Sequence, residues 1–221
     1  DELQPQAVIF SDGGPGCRWV GNEHGFAGAT NWSFLRTGEV YPGYPKYREL
    51  QYGHADGNQW VAAECDVSIR PGWFYHPEED DRVKTVDELT DLYYRSVGHN
   101  ATLLLNFPVD RDGLIHPTDS ANAVNFHQNV QKQLAHNLLA GLSPKASDER
   151  GRTFSAKAVT DGDYDTYWAT NDDVISATIE FDLPQAEKIN RMMLQEYIPL
   201  GQRVKSFVVE YNQAGEWIPV K

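Results

Sequence analysis

Glu23 has the setting that best suits chemistry in this chain. It ends the run Ser11-Asp12-Gly13-Gly14-Pro15-Gly16-Cys17-Arg18-Trp19-Val20-Gly21-Asn22-Glu23, a glycine-rich loop entered directly from the apolar segment Ala7-Val8-Ile9-Phe10. Trp19, Asn22 and His24 flank the carboxylate. A carboxylate beside aromatic rings loses part of its hydration; this disfavours the charged form and suits a general acid. Asp12 is the rival carboxylate, but Ser-Asp-Gly is ordinary turn chemistry and a structural role is expected of it. A second group is Glu64, Arg70 and Trp73, spread along and just past a strand-like run that ends at Pro71-Gly72. Arg70 can hydrogen-bond a hydroxyl group or pair with Glu64 or Asp66, and pairing is the usual need of a buried charge. Trp73 is either a flat apolar face for a ligand or a core ring. His24, His54 and His76 lack the spacing of a zinc site. The aromatic stretch from Tyr41 to Tyr47 is either a loop that shapes a subsite or a plain Pro/Gly surface loop.

These groups need a scaffold, and the pattern over residues 1–142 is α/β. Ala7–Phe10, Gln59–Ile69 and Ala101–Asn106 read as strands, the last apolar on both faces as buried parallel strands are. Thr85 and Glu88 form a capping-box pattern ahead of a helix whose Val86, Leu89 and Tyr93 share a face and which Gly98 should stop. Phe126, Val130, Leu134 and Leu138 step by four along a longer helix expected to end at Gly141. In such folds the loops after the C-terminal ends of parallel strands carry the chemistry.

The period changes after Leu142-Ser143-Pro144. Ile179, Phe181 and Leu183 alternate with polar residues, and turn signals separate short strands, as in an antiparallel sandwich. The expected domains are therefore 1–142 and 143–221. Three parallel strands are fewer than half of an eight-stranded barrel, and an eight-stranded jelly roll would not close in 143–221. Asp1-Glu2-Leu3-Gln4-Pro5 reads as a helix end and a turn into a strand, as of a chain that begins within a longer protein.

Composition narrows the partners. Of 221 residues, 40% are hydrophobic and 12% aromatic, enough for a core, while a net charge of −13 argues against nucleic acid. No stretch of 18 apolar residues is present to span a membrane. Cys17 and Cys65 are too few for a disulfide framework.

The segment Val8-Ile9-Phe10-Ser11-Asp12 with Arg18-Trp19-Val20-Gly21-Asn22-Glu23 resembles the acid/base segment of glycoside hydrolase family 29, the α-L-fucosidases, in the subfamily preferring α-1,3/1,4-linked fucose. Glu64-Cys65-Asp66-Val67-Ser68-Ile69-Arg70-Pro71-Gly72-Trp73-Phe74-Tyr75 resembles a second family segment, and Leu103-Leu104-Leu105-Asn106-Phe107-Pro108 its last barrel strand. The resemblance implies the C-terminal part of a (β/α) TIM-like barrel and a retaining hydrolase acting on fucosylated glycans. It implies Glu23 as catalytic acid/base and Trp19, His24, Glu64, Arg70 and Trp73 as substrate contacts. The family's nucleophile motif, an aspartate in a Trp-Phe-Asp-Gly-like strand end, is missing here and is expected upstream of Asp1. No cofactor is implied for catalysis, and a secreted or periplasmic location is. Val159 to Ala169 resembles the opening of a discoidin-like, or family 32 carbohydrate-binding, jelly roll, hence a partial β-sandwich. That resemblance implies a structural calcium at Asp161, Asp163 and Thr166, whose hard oxygens suit the ion. The alternatives are a non-catalytic carbohydrate-binding protein and a different barrel glycosidase.

Overall fold

The computed structural model describes residues 3–220; Asp1 and Glu2, the start of the expected helix end, lie outside the described residues. The chain divides into two units, one up to Asn137 and one from Leu138 onward, against an expected boundary near residue 142.

In the first unit β1 (Phe10–Ser11), β2 (Cys17–Trp19), β3 (Phe34–Leu35), α1 (Tyr47–Tyr52), β4 (Gln59–Trp60), β5 (Ala62–Ser68), α2 (Val86–Ser96), β6 (Ala101–Asn106) and α3 (Pro117–Leu134) follow in order. Four strands form one parallel sheet in the order β1-β2-β5-β6. The sequence pattern shows three of them, because the three residues of Cys17–Trp19 carry too little alternation to mark a strand. The expected strand Ala7–Phe10 is ordered as a strand only from Phe10. The expected strand Gln59–Ile69 is two strands: Gln59–Trp60 pairs antiparallel with β3, while Ala62–Ser68 enters the parallel sheet.

Alternation along β5 sends Ala63, Cys65 and Val67 to one face and Glu64, Asp66 and Ser68 to the other. On the first face Val67 and Ile69 pack with Val83, Leu89 and Leu92, against which Leu103, Leu105, Phe107 and Phe126 lie. Cys65 joins Val20 and Ala27 in a neighbouring cluster. On β6 the opposite face holds Thr102 and Leu104, both exposed, so the strand is not buried on both sides as its leucine run suggested.

Helix α2 begins as the capping box requires: the Thr85 side chain accepts from the Glu88 N–H, and the Glu88 carboxylate accepts from the Thr85 N–H at 2.8 Å. It ends through a tight turn over Val97–His99, and the left-handed residue is Asn100 (φ 59) rather than Gly98. Helix α3 stops at Leu134, short of the expected Gly141.

Arg18 fastens the long segment between β2 and β5. Its guanidinium is fully buried and donates to the Leu50, Val61 and Trp32 carbonyls and to Asn31 Oδ1 at 2.7 to 3.2 Å. Burial away from any carboxylate lowers its pKa to about 10.

The second unit holds two small antiparallel sheets, β7 (Lys145–Ala146) with β8 (Ile179–Glu180) and β9 (Glu210–Gln213) with β10 (Glu216–Pro219). The latter is a hairpin turned by Ala214 and Gly215, both at positive φ.

Candidate active site

Parallel pairing sets Trp19, the last residue of β2, opposite Glu64, and β5 runs on past it to Ser68. The loop after β2 is held tightly. Gly21 (φ 81) lies so close to the Tyr47 backbone that a Cβ would come within 2.4 Å of its carbonyl oxygen. Asn22 ties the loop at both ends, accepting from the His24 N–H at 2.9 Å and donating to the Phe26 carbonyl at 3.0 Å. Gly25 (φ 77) sits on the Val67 side chain where no Cβ fits. Between these anchors Glu23 projects, exposed, and accepts a hydrogen bond from Trp73 Nε1 at 2.9 Å.

Trp73 is positioned from the next strands. After β5 the chain turns at Pro71-Gly72, and Asn106 at the end of β6 donates to the Trp73 carbonyl and to Ser68 Oγ, both at 3.1 Å. A cleft of about 270 Å³ lies among Glu23, His24, Ser68, Trp73 and Lys84, with the Arg70 segment along one side. Lys84 donates to the Ser68 carbonyl at 2.7 Å, and burial lowers its pKa.

Asp66 is the second carboxylate of this rim. It accepts from Trp19 Nε1 at 2.7 Å. Burial raises its pKa, the Trp19 bond opposes that, and the neighbouring Glu23 charge adds to the rise. Trp19 in turn stands edge-on to Tyr47, ring centroids 5.5 Å apart. Asp12 accepts from the Gly43 N–H and holds the Tyr41–Tyr47 loop, the structural role its turn motif suggested.

The structure therefore brings Glu23, His24, Arg70 and Trp73 to one cleft, sets Trp19 on Asp66 outside its lining, and leaves Glu64 out of it. Arg70 pairs with neither Glu64 nor Asp66, and its guanidinium is not free for a sugar hydroxyl. It is buried in a two-bond fork with Asp119 (2.8 and 2.8 Å), bonds Asp80 at 2.9 Å, and stacks 4.7 Å over the Tyr75 ring. Asp119 lies on α3, 49 residues away, so no sequence spacing could have named it. Glu64 is buried one pleat below Asp66, neither of its oxygens has a hydrogen-bond partner, and it does not line the cleft. Desolvation first and the Asp66 charge second push its pKa up to about 7.

The sequence offers Asp66 only as a possible partner of Arg70 and gives Lys84 no motif. For Asn106 the available signal is a polar residue closing a leucine run at a strand end.

A larger cleft of about 590 Å³ over α1 involves Arg36, Lys46, Glu49 and His54. Its charges are satisfied internally: Tyr44, Lys46 and His54 all bond Glu49 and hold its carboxyl at about 2.

The expected cation ligands in the second unit bond among themselves. Asp161 accepts from the Asp163 N–H at 2.9 Å and the Thr166 hydroxyl at 2.8 Å, and Asp163 accepts from the Asp165 N–H at 2.9 Å. Among the described residues no group of three His, Cys, Asp or Glu side chains that could hold a metal ion occurs. Nor is any helix among them long and apolar enough to cross a membrane.

Barrel glycoside hydrolases carry their catalytic carboxylates at the C-terminal edge of a parallel sheet, where Glu23 and Asp66 stand here. Comparison with known proteins narrows this. The chain is 39% identical over 226 residues to α-L-fucosidase 1 of Arabidopsis thaliana, covering 98% of this chain and 43% of that one. It superposes on SpGH29 with a TM-score of 0.85 at 30% identity (99% of this chain, 47% of that one). It also superposes on a GH29 fucosidase of Ruminococcus gnavus in complex with fucose, with a TM-score of 0.78 at 32% identity (93% and 42%). Residues 143–221 match the F5/8 type C domain. The chain is thus related over nearly all of its length to the α-L-fucosidases of glycoside hydrolase family 29. It spans 41% to 43% of the length of the curated relatives it matches.

Proposed function

We propose that this chain is the acid/base-bearing part of a retaining α-L-fucosidase that releases terminal fucose, α-1,3/1,4-linked, from branched glycans. Glu23 protonates the glycosidic oxygen as it leaves and then takes a proton from the attacking water. The nucleophile is an aspartate contributed from outside these 221 residues, about 5–5.5 Å from Glu23 as retention requires. Trp73 fixes the Glu23 carboxylate and turns its ring toward the sugar, and His24 borders the same cleft. Trp19 and Asp66 brace the rim from beside the strands. The observation that carries the reading is the Trp73 Nε1 to Glu23 Oε2 bond of 2.9 Å, which joins two strand-end loops 50 residues apart at one carboxylate.

The test is Glu23→Gln in the full-length enzyme. Turnover of fucosides with sugar leaving groups should fall by roughly 10²–10⁴. Activated aryl fucosides, which need no proton in the first step, should lose far less, and azide should intercept the fucosyl-enzyme as fucosyl azide. Equal losses on both substrate types with no azide product would remove Glu23 from this role.

A further inference from the structure

We infer that Asn106 is a positioning residue of the acid/base: it holds the Trp73 turn in place, and through that turn the indole N–H that grips the Glu23 carboxylate. The inference rests on the fucosidase reading of Glu23. An acid works only while its carboxyl points at the leaving oxygen, and a misplacement of about 1 Å is costly in rate. Glu23 is exposed on a loop, so its aim depends on what bonds it.

Three neighbouring strand ends supply the parts. Glu23 follows β2, Trp73 follows β5, and Asn106 is the last residue of β6; the three strands are adjacent in the sheet. The Asn106 backbone is fixed, paired with Ser68 across the ladder and accepting from the Ile69 N–H at 3.0 Å. Its amide nitrogen donates at 3.1 Å both to Ser68 Oγ and to the Trp73 carbonyl, so one NH2 group spans the turn from Ser68 to Trp73. Ser68 is a firm base for that span, because its carbonyl accepts from Lys84 Nζ at 2.7 Å. The turn has little else to hold it. It carries Pro71-Gly72, and among the described residues no backbone-to-backbone hydrogen bond involves Pro71, Gly72, Trp73 or Phe74. From this turn the Trp73 Nε1–H reaches Glu23 Oε2 at 2.9 Å. The Glu23 loop is seated on the same strand, with Gly25 against Val67, one residue before Ser68. Asn106 thus ties a turn without backbone bonds of its own to the strand on which the carboxylate's loop rests.

The experiment measures kcat/KM in the full-length enzyme on a branched fucosyl oligosaccharide and on an activated aryl fucoside, whose departure needs no proton. Asn106→Asp keeps the shape of the side chain and sets an acceptor against the Trp73 carbonyl in place of the donor. It should lose about 5-fold on the oligosaccharide, the scale of one charge-assisted bond, and clearly less on the aryl fucoside. Joined to Trp73→Phe it should add less than about 2-fold to the loss of Trp73→Phe alone, because both changes act on one contact. Should the aspartate variant not fold, Asn106→Ala carries the same comparison, since water can replace the amide at this half-buried position. Equal losses on both substrates, full addition in the double variant, or wild-type rates would make Asn106 a brace of the strand end alone and overturn the inference while the fucosidase reading stands. A wild-type enzyme that hydrolyses neither substrate would overturn that reading and this inference with it.

Discussion

Removal of Arg70 separates a structural charge from a substrate contact. Its guanidinium side chain has no exposure, nor has that of Asp119, and the two meet in a fork at 2.8 Å. Arg70→Ala leaves Asp119 buried without a partner, a change that costs about 3–5 kcal/mol. The third bond, to Asp80, is worth much less: that side chain is 36% exposed, and pairs reaching water contribute about 0–1 kcal/mol. Asp80→Ala should therefore cost no more than about 1 kcal/mol. Arg70→Lys, which keeps the charge but not the planar fork, should fall between the two. Replacing both partners with apolar residues, Arg70→Met with Asp119→Leu, should recover most of the loss, because no lone charge is then left in the interior. Urea unfolding with m held constant across the series is the assay. If Arg70→Ala unfolds within about 1 kcal/mol of wild type while fucose affinity drops, the fork is not the reason for this arginine and the sugar-contact role returns.

Glu64 should make stability fall with rising pH. Its carboxyl titrates near 7 when folded and near the ordinary 4.5 when unfolded, so between those values the folded state holds the extra proton. The contribution is present in full below about pH 4.5 and is lost as pH rises through 7. Glu64→Gln should flatten the melting temperature over that window, and an unchanged slope would place a partner on the carboxylate. Trp73→Phe keeps an aromatic ring and removes the hydrogen bond that the Glu23 carboxylate accepts from Trp73 Nε1. It should lower kcat/KM on fucosyl oligosaccharides by about 5-fold, the scale of one exposed charge-assisted bond. Wild-type rates on poor leaving groups would show that the bond does not orient Glu23.

What was legible in the sequence was whatever is written locally. The capping box over Thr85 and Glu88 fixed the start of α2, because both its hydrogen bonds close within four residues. Leu103 and Leu105 marked β6 by composition. Glu23 stood out because glycines and aromatics surround it within a dozen positions. What stayed hidden depends on distant pairing. Cys17–Trp19 is a strand only because Ala62–Glu64 hydrogen-bonds it, and Asp119 is a structural partner only because α3 brings it 49 residues back to Arg70. The acidic turn at Asp161 is legible as oxygen-rich by its residue types, while the bonds that Asp161 accepts from the Asp163 N–H and the Thr166 hydroxyl depend on the folded turn.

The two carboxylates of β5 show how far a single position on a pleat decides function. Glu64 and Asp66 are two residues apart on one face, of like charge and similar chemistry. Asp66 stands level with the strand-end loops, where Trp19 can donate to it and where Glu23 is near enough to be felt. Glu64 stands about 7 Å further down the strand, beyond every donor the described residues offer, and its proton answers to burial instead. The same side-chain group is thus part of a reactive rim at one level of the sheet and a pH-dependent liability at the next. The fucosidase reading uses the upper one as a brace for Trp19. On this reading Asp66→Asn, which keeps an oxygen for the Trp19 N–H, should lower kcat/KM on fucosyl oligosaccharides less than Asp66→Leu, which keeps none, and equal losses would show that the bond does not brace the rim.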